Sequence, residues 1–508
     1  MIKLLNYMLF LIPFMMTGCD KFLAVEVPDN LTHDEYWANR EQVVASMNGM
    51  YSSLHNNLNR FQVWGDSRSS LYTPGPGDSF TTDYRQFMAQ DIYPENGLLG
   101  WGSVYTAITW INSFIKNAPG ALERDQTFTE SELNVMMGEA YALRALNYFY
   151  LVRTFKEVPI IEQPYESDSQ QFNTAASSEE EVLNFIEADL DRALSAVAPD
   201  FENINERYGR ITKNTVKAIW ADVKLWRNEY QACLDLCADL SAVYGDKLVE
   251  PLNWFSIFSP GNSSEGIFEY QYVQTGFASP LYNWFSHFQQ NNAKYLANIA
   301  NIQVNAGEKL YLPTDPLHFS ADTIRLKNYS AFRFSPVSYA GGSGYEVYKF
   351  IGQSPYELNY RPTGARNANY IIYRYREILF MEAEALAMLN RYEEAEARIN
   401  KIRLQCNIPA VSTGVMGADL EFMTNLLMER EFELGFEGKE WFAAVRIARR
   451  SGFADALIVK AAENNPLGES YQVVRARLLN PESWFLPYHR TELESNRLLV
   501  QKDYYKNK

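Results

Sequence analysis

Residues 212–243 read TKNTVKAIWADVKLWRNEYQACLDLCADLSAV. Thr212 is predicted to cap a helix in which Val216, Ala218, Ile219, Trp220, Val223, Leu225 and Trp226 recur at helical spacing. Asn228-Glu229 forms a short turn, and a second helix follows from Tyr230 to about Val243. Two antiparallel helices in about 34 residues have the period of a tetratricopeptide repeat. The unit recurs downstream. Tyr370–Leu389 is predicted as one helix and Tyr392–Cys406 as the next, again with a tight turn between them. Asn228-Glu229-Tyr230 aligns with Asn390-Arg391-Tyr392, and each aromatic is followed three positions on by a small residue, Cys233 or Ala395. Helices cross closely only where one side of the crossing is small. The fold class is therefore all-α in the main, and these stripes of Ala and aromatics are scaffold.

Upstream, Thr129 with Glu132 and Ser178 with Glu181 fit capping boxes. The first opens a helix through Phe155 that is apolar on most faces and so belongs in the interior. The second opens one whose apolar period stops at Pro199. Between the two helical pairs the character changes. Residues 270–370 hold 12 Tyr, 7 Phe, 7 Gly and 6 Pro, broken by Pro313-Thr314-Asp315-Pro316 and Gly341-Gly342-Ser343-Gly344. A second irregular stretch, about 56–100, carries Trp64, Tyr72, Pro74-Gly75-Pro76-Gly77, Tyr84 and Tyr93. Long loops inside a helical scaffold are uncommon unless they bind something. The organisation expected is a leader at 1–18 and one composite domain at 19–508. Its scaffold lies at about 30–60, 101–250 and 370–450, with insertions at about 56–100 and 251–369.

The leader, MIKLLNYMLFLIPFMMTG, has one charge at Lys3 and an apolar run broken by Pro13. The run is too short to span a bilayer comfortably and reads as a secretory signal. Met16-Thr17-Gly18-Cys19 then approaches a cysteine through small residues, as a bacterial lipoprotein signal does. Cleavage before Cys19 would free its amine and thiol for acylation, and more than one acyl chain gives stable anchoring. Cys233, Cys237 and Cys406 remain, an odd number. Cys233 and Cys237, four apart on a helix, suit a disulfide poorly and are expected to be buried small residues.

The 508 residues are 47% apolar, 21% charged and 14% aromatic, a globular composition. With 46 Lys and Arg against 62 Asp and Glu the formal charge is -16, and no basic run offers a face to phosphate, so nucleic acid is excluded as a partner. The five His are too scattered for zinc-ligand spacing, and no phosphate loop, Gly-x-Ser-x-Gly elbow or dinucleotide fingerprint occurs. No metal site or cofactor is expected. No calcium loop of interleaved Asp is present, but a loop-built ion site would leave no trace, so a structural calcium ion stays open. A glycosidase's pair of carboxylates would likewise be invisible among so many acids. A hydrolase is therefore the least favoured reading, and no enzyme is expected.

Blocks along the chain resemble the SusD/RagB family of outer-membrane lipoproteins of Bacteroidota. Cys19-Asp20-Lys21-Phe22-Leu23 with Pro28 resembles the family's mature start, and Tyr36-Trp37 with Asn48-Gly49-Met50-Tyr51 its first helix. Trp101-Gly102-Ser103-Val104-Tyr105, Ala142-Leu143-Arg144-Ala145 and Arg207-Tyr208-Gly209-Arg210-Ile211-Thr212 follow in order. Tyr373-Arg374-Tyr375, Glu382-Ala383-Glu384-Ala385-Leu386, Glu429-Arg430 and Phe436-Glu437-Gly438 with Trp441 and Arg446 resemble the C-terminal half, closed by Pro487, Asn496 and Tyr504-Tyr505. The chain departs from the pattern at Glu440, Ala443-Ala444, Arg497 and Lys502, all in scaffold segments. The resemblance implies a lipid-anchored protein facing the cell exterior that closes over a SusC-like TonB-dependent outer-membrane barrel. It would pass that barrel an oligosaccharide or, in some members, a peptide.

The residues suit that role on their own terms. Flat aromatic rings cover the apolar faces of sugars, while Asp, Asn, Arg and Tyr hydroxyls meet the polar rims. The candidates are Trp64, Tyr72, Trp101, Tyr282, Trp284, Tyr339 and Tyr345, with Asp66, Arg68, Asp78, Asn96 and Arg366 as polar partners. For each aromatic, ordinary packing is the competing role, most of all for Trp101, which also opens a helix.

Overall fold

The computed structural model describes residues 36–74, 81–165, 172–272, 279–285, 295–297, 334–339, 342–352, 361, 367–406, 408–411, 414–463 and 465–508. Its longer helices are α1 (Arg40–Asp66), α2 (Gly102–Asn117), α3 (Glu130–Phe155), α4 (Glu179–Ala196), α5 (Lys213–Trp226), α6 (Tyr230–Tyr244), α7 (Tyr375–Met388), α8 (Tyr392–Gln405), α9 (Asp419–Leu434), α10 (Glu440–Ala448), α11 (Ala454–Glu463) and α12 (Tyr471–Leu478). Among the described residues strands are few and pair two by two, all antiparallel: β1 (Tyr72–Pro74) with β3 (Tyr295–Ala297), β2 (Gly266–Tyr270) with β6 (Tyr370–Arg374), and β4 (Phe334–Tyr339) with β5 (Gly342–Val347). The protein is mainly α-helical, as the periodicity predicts. No described helix is long and apolar enough to cross a membrane.

Local chemistry sets the helix starts. Thr129 and Ser178 each accept the N3 amide while Glu132 and Glu181 reach back, two reciprocal capping boxes, and Thr212 does the same with Thr215. The two helical pairs share one turn. Asn228 and Asn390 both sit at positive φ, 63° and 59°. The following amides bond five residues back, Glu229 N to Lys224 O and Arg391 N to Leu386 O, each at 2.9 Å. That is a Schellman closure with Asn in the left-handed position. Each following tyrosine then donates its hydroxyl to the turn's asparagine, Tyr230 to Asn228 at 3.0 Å and Tyr392 to Asn390 at 3.4 Å. α5–α6 and α7–α8 stack through α6 and α7. Cys233 and Cys237 lie buried in α6 as free thiols.

One expected helix starts late. Tyr370–Leu389 divides into β6 and α7, because Tyr-Ile-Ile-Tyr-Arg is β-branched and aromatic and finds an edge on β2. Nothing within the segment reveals that partner, about 100 residues upstream. The irregular stretch at about 56–100 is also shorter than expected, since α1 continues to Asp66 and Thr82–Met88 is helical.

Among the described residues the main hydrophobic core runs from Trp37 to Leu499 and takes in most faces of α3. Buried ions tie its layers together. Asp222 of α5 accepts from Arg153 of α3 and Arg446 of α10, each at 2.9 Å, and from the Tyr373 hydroxyl of β6 at 3.0 Å. Arg374 bridges Glu265 (2.7 Å) and Glu437 (2.9 and 3.1 Å), and Lys349 joins Glu437 at 2.5 Å. The ends of the chain meet as well. α1 packs on α10 so closely that a Cβ on Gly65 would lie 1.7 Å from the Gly438 carbonyl oxygen.

Candidate functional site

Most of the predicted ligand contacts that the structure describes point inward. Trp64 is 1% exposed; its indole N–H donates to Leu98 O at 2.9 Å and its ring meets Phe155 edge-on. Trp101 is buried between Phe155 and Tyr488. Tyr72 packs against Phe285 and Phe436 and donates to Asp66 at 2.9 Å. Asp66 itself accepts the Gly438, Lys439 and Glu440 amides and so caps α10. Arg68 lies 4.0 Å over the Trp441 ring and donates to Gln90 and to the Ser483 and Trp484 carbonyls. Asn96 braces the turn at Asp83 and Gln86. These six are corrected from ligand contacts to interior packing. Tyr72 against Phe436 and Arg68 over Trp441 seat the end of α1 against the C-terminal segment, and composition cannot show which way a ring faces. Trp284 is also buried. Tyr282 belongs to the short helix Leu281–Phe285, Tyr339 to β4 and Tyr345 to β5. Their side chains, like Asp78 and Arg366 altogether, lie outside the described residues.

What the fold does bring together is a cleft of about 480 Å³ between α1, the segment Asn203–Arg210 and the end of β2. Met47, Asn48, Tyr51 and Ser52 fall on one face of α1 because Met47 and Tyr51, and Asn48 and Ser52, are each four residues apart. The opposite wall is the short helix Ile204–Gly209, begun by Asn203, whose side chain accepts the Asn205 and Glu206 amides. Gln271 pins that wall to β2 by donating to Asn205 O at 2.7 Å, and Asn262 donates to the Asn205 side chain at 3.0 Å.

Arg210 closes one end. Its Nε and Nη2 donate to Glu139 at 3.1 and 2.5 Å, and Nη1 reaches Glu206 at 3.2 Å. Tyr51 donates to the same Glu139 at 2.5 Å and accepts the Ile211 amide. Burial and the Glu139 carboxylate push the Tyr51 phenol well above its ordinary range, so it stays a donor. At the other end lies an aromatic cluster. His55 stacks on Tyr270 at 5.3 Å and meets Tyr272 edge-on, with its Nδ1 3.1 Å from the Tyr272 hydroxyl. Burial holds the His55 pKa below its usual value, so the ring is neutral at pH 7.

Beneath the floor sits Glu269, fully buried. One carboxylate oxygen takes the Asn262 amide and the Asn369 side chain, each at 2.9 Å. Burial raises its pKa to about 7, with Asn262 and Asn369 restraining the rise. A carboxyl raised in the folded state stabilises most below its unfolded pKa, and that contribution is lost as pH rises through 7. Thermal melts of Glu269→Gln should therefore fall less steeply between pH 5.5 and 8 than those of the parent. An unchanged slope would refute this assignment.

Sequence reasoning missed this cleft because its walls come from three distant segments. The signals were small: two asparagines, Asn203 and Asn205, between helices, and Gln271 between two tyrosines. Among the described residues no group of His, Cys, Asp or Glu is arranged to hold a metal ion.

Two family models match the chain. One, described as the SusD family, covers residues 340–505. The other, described as starch-binding and associating with the outer membrane, covers residues 21–225. Together they span well over half of the sequence. The chain belongs to the SusD/RagB family. Among its SusD relatives, a SusD-like protein of Formosa agariphila is 24% identical over 476 residues, spanning 85% of this chain and 88% of that one. A SusD superfamily protein from Bacteroides thetaiotaomicron superposes with a TM-score of 0.72 at 18% identity, covering 92% of this chain and 99% of that one. A structure described as a laminarin-binding SusD-like protein gives a TM-score of 0.65 at 20% identity, again over 92% and 99%. These likenesses establish the SusD fold. At the level of the SusD family they go with carbohydrate binding and association with the outer membrane.

Proposed function

We propose that this protein is a cell-surface lipoprotein, held by acyl chains on Cys19, that captures an oligosaccharide and delivers it to a SusC-like TonB-dependent barrel. The observation that carries the binding half is the cleft itself. Neutral side-chain amides and hydroxyls line it, while Tyr51 and Tyr270 supply flat apolar surface, the combination a sugar's rims and faces require. It lies where β2 runs on into the Tyr-rich stretch beyond residue 272. The anchor rests on Gly18-Cys19 behind a secretory leader, and the barrel partner on the family's place at the outer membrane.

Calorimetric titration of the mature protein against neutral oligosaccharides and peptides tests the reading. Oligosaccharide affinity is expected in the micromolar to millimolar range, about -8 to -4 kcal/mol. Tyr270→Ala should weaken it roughly fivefold while the far-ultraviolet spectrum is unchanged, since a stacked aromatic contributes about 1 kcal/mol. Binding confined to peptides would overturn the carbohydrate assignment in favour of peptide uptake on the same architecture.

A further inference from the structure

The cleft's charges are arranged one-sidedly. Arg210 is the one cation among its described lining residues, and all three of its guanidinium nitrogens are engaged by Glu139 and Glu206. Its face also covers the Phe201 ring at 4.3 Å. Glu139 is fully buried, and among the described residues Arg210 is its one ion-pair partner. Nε and Nη2 are committed to buried Glu139, and pulling them away would leave that charge without its counter-ion, which is strongly unfavourable; an incoming carboxylate or sulfate is left with Nη1, where it must compete with Glu206. Glu206 stands exposed on the rim, so an anion also meets like charge on approach. The remaining polar lining, Asn48, Ser52, Asn203, Asn205 and Gln271, is neutral and offers both donors and acceptors.

We infer that the cleft selects uncharged or amine-bearing sugars and rejects uronic-acid and sulfated ones. The selectivity rests on the oligosaccharide reading above, and it is of the kind built by placing a repulsive element against the wrong ligand.

Titration of the mature protein with laminarihexaose, maltohexaose, a glucosamine hexamer and a galacturonic acid hexamer tests it. At low salt at least one of the first three should bind ten times more tightly than the galacturonate. That gap should narrow severalfold in 0.5 M salt and in Glu206→Gln, because both weaken the repulsion. Gln271→Ala should weaken the preferred hexamer at least fivefold, which places the ligand in this cleft. Galacturonate binding as tightly as the best neutral hexamer, a gap indifferent to both salt and Glu206→Gln, or full retention in Gln271→Ala would each overturn the inference while leaving oligosaccharide capture intact. No binding by any of the four would overturn the oligosaccharide reading, and the selectivity with it.

Discussion

Asp66→Ala is expected to cost the fold about 3 kcal/mol, read by urea denaturation at pH 7. The carboxylate takes three amides at the start of α10, from Gly438, Lys439 and Glu440, at 2.9–3.0 Å, and the Tyr72 hydroxyl at 2.9 Å. Alanine leaves those donors in an interior where each unmet one costs about 1–3 kcal/mol. Part of that is recovered, because burial and the neighbouring Glu440 raise the Asp66 pKa to about 6, so the wild type carries an unfavourable charge at neutral pH. Asp66→Asn keeps one acceptor and sheds the charge, and should cost less than half as much. If Asp66 were instead a ligand contact, Asp66→Ala would weaken sugar binding and leave the denaturation midpoint in place.

The second large effect is at Arg374. Arg374→Met removes the cation between Glu265 and Glu437 and leaves two fully buried carboxylates with one partner each, Arg376 and Lys349. Breaking a buried pair from one side costs about 3–5 kcal/mol, so the variant should unfold at markedly lower urea. Its pH dependence is a sharper test. Burial alone would raise the Glu437 carboxyl, but Arg374 and Lys349 hold it down at about 2. A depressed carboxyl stabilises above its unfolded pKa, and that stability is lost as pH falls from about 4.5 toward 2. The wild type should therefore weaken across that window, and the variant less steeply. Glu384, likewise held at about 2 against burial by Arg446 and Arg450, preserves part of the slope. An unaltered slope in Arg374→Met would show that the pair carries no linkage.

The helical pairs were legible in the sequence because what makes them is local. Apolar period, capping boxes and the Asn-x-Tyr turn all act within a few residues, and each is present in the structure. β6 was not legible, since Tyr370–Arg374 takes its conformation from a strand about 100 residues earlier. Nor were the buried ions. Arg374, Glu265 and Glu437 are charged residues, which sequence reasoning puts at the surface, and their pairing is visible only when three segments meet. The site failed for a related reason. Trp64 and Trp101 have the chemistry of a sugar platform, but chemistry does not say which side of a helix faces water. The cleft's own residues are ordinary amides and tyrosines whose significance is their convergence.

The contacts between the two ends of the chain also set an order of events. Asp66 has nothing to cap until residues 438–440 exist, and Arg68 donates to carbonyls at 483 and 484. A chain emerging N-terminus first therefore cannot finish its first helix's surroundings until nearly the last residues are made, and non-local closure of this kind is slow. For a polypeptide carrying the proposed secretory leader, which would cross a membrane in extended form, that delay would be useful. The contacts that fix the end of the first helix would then form only after the C-terminal segment has followed it across.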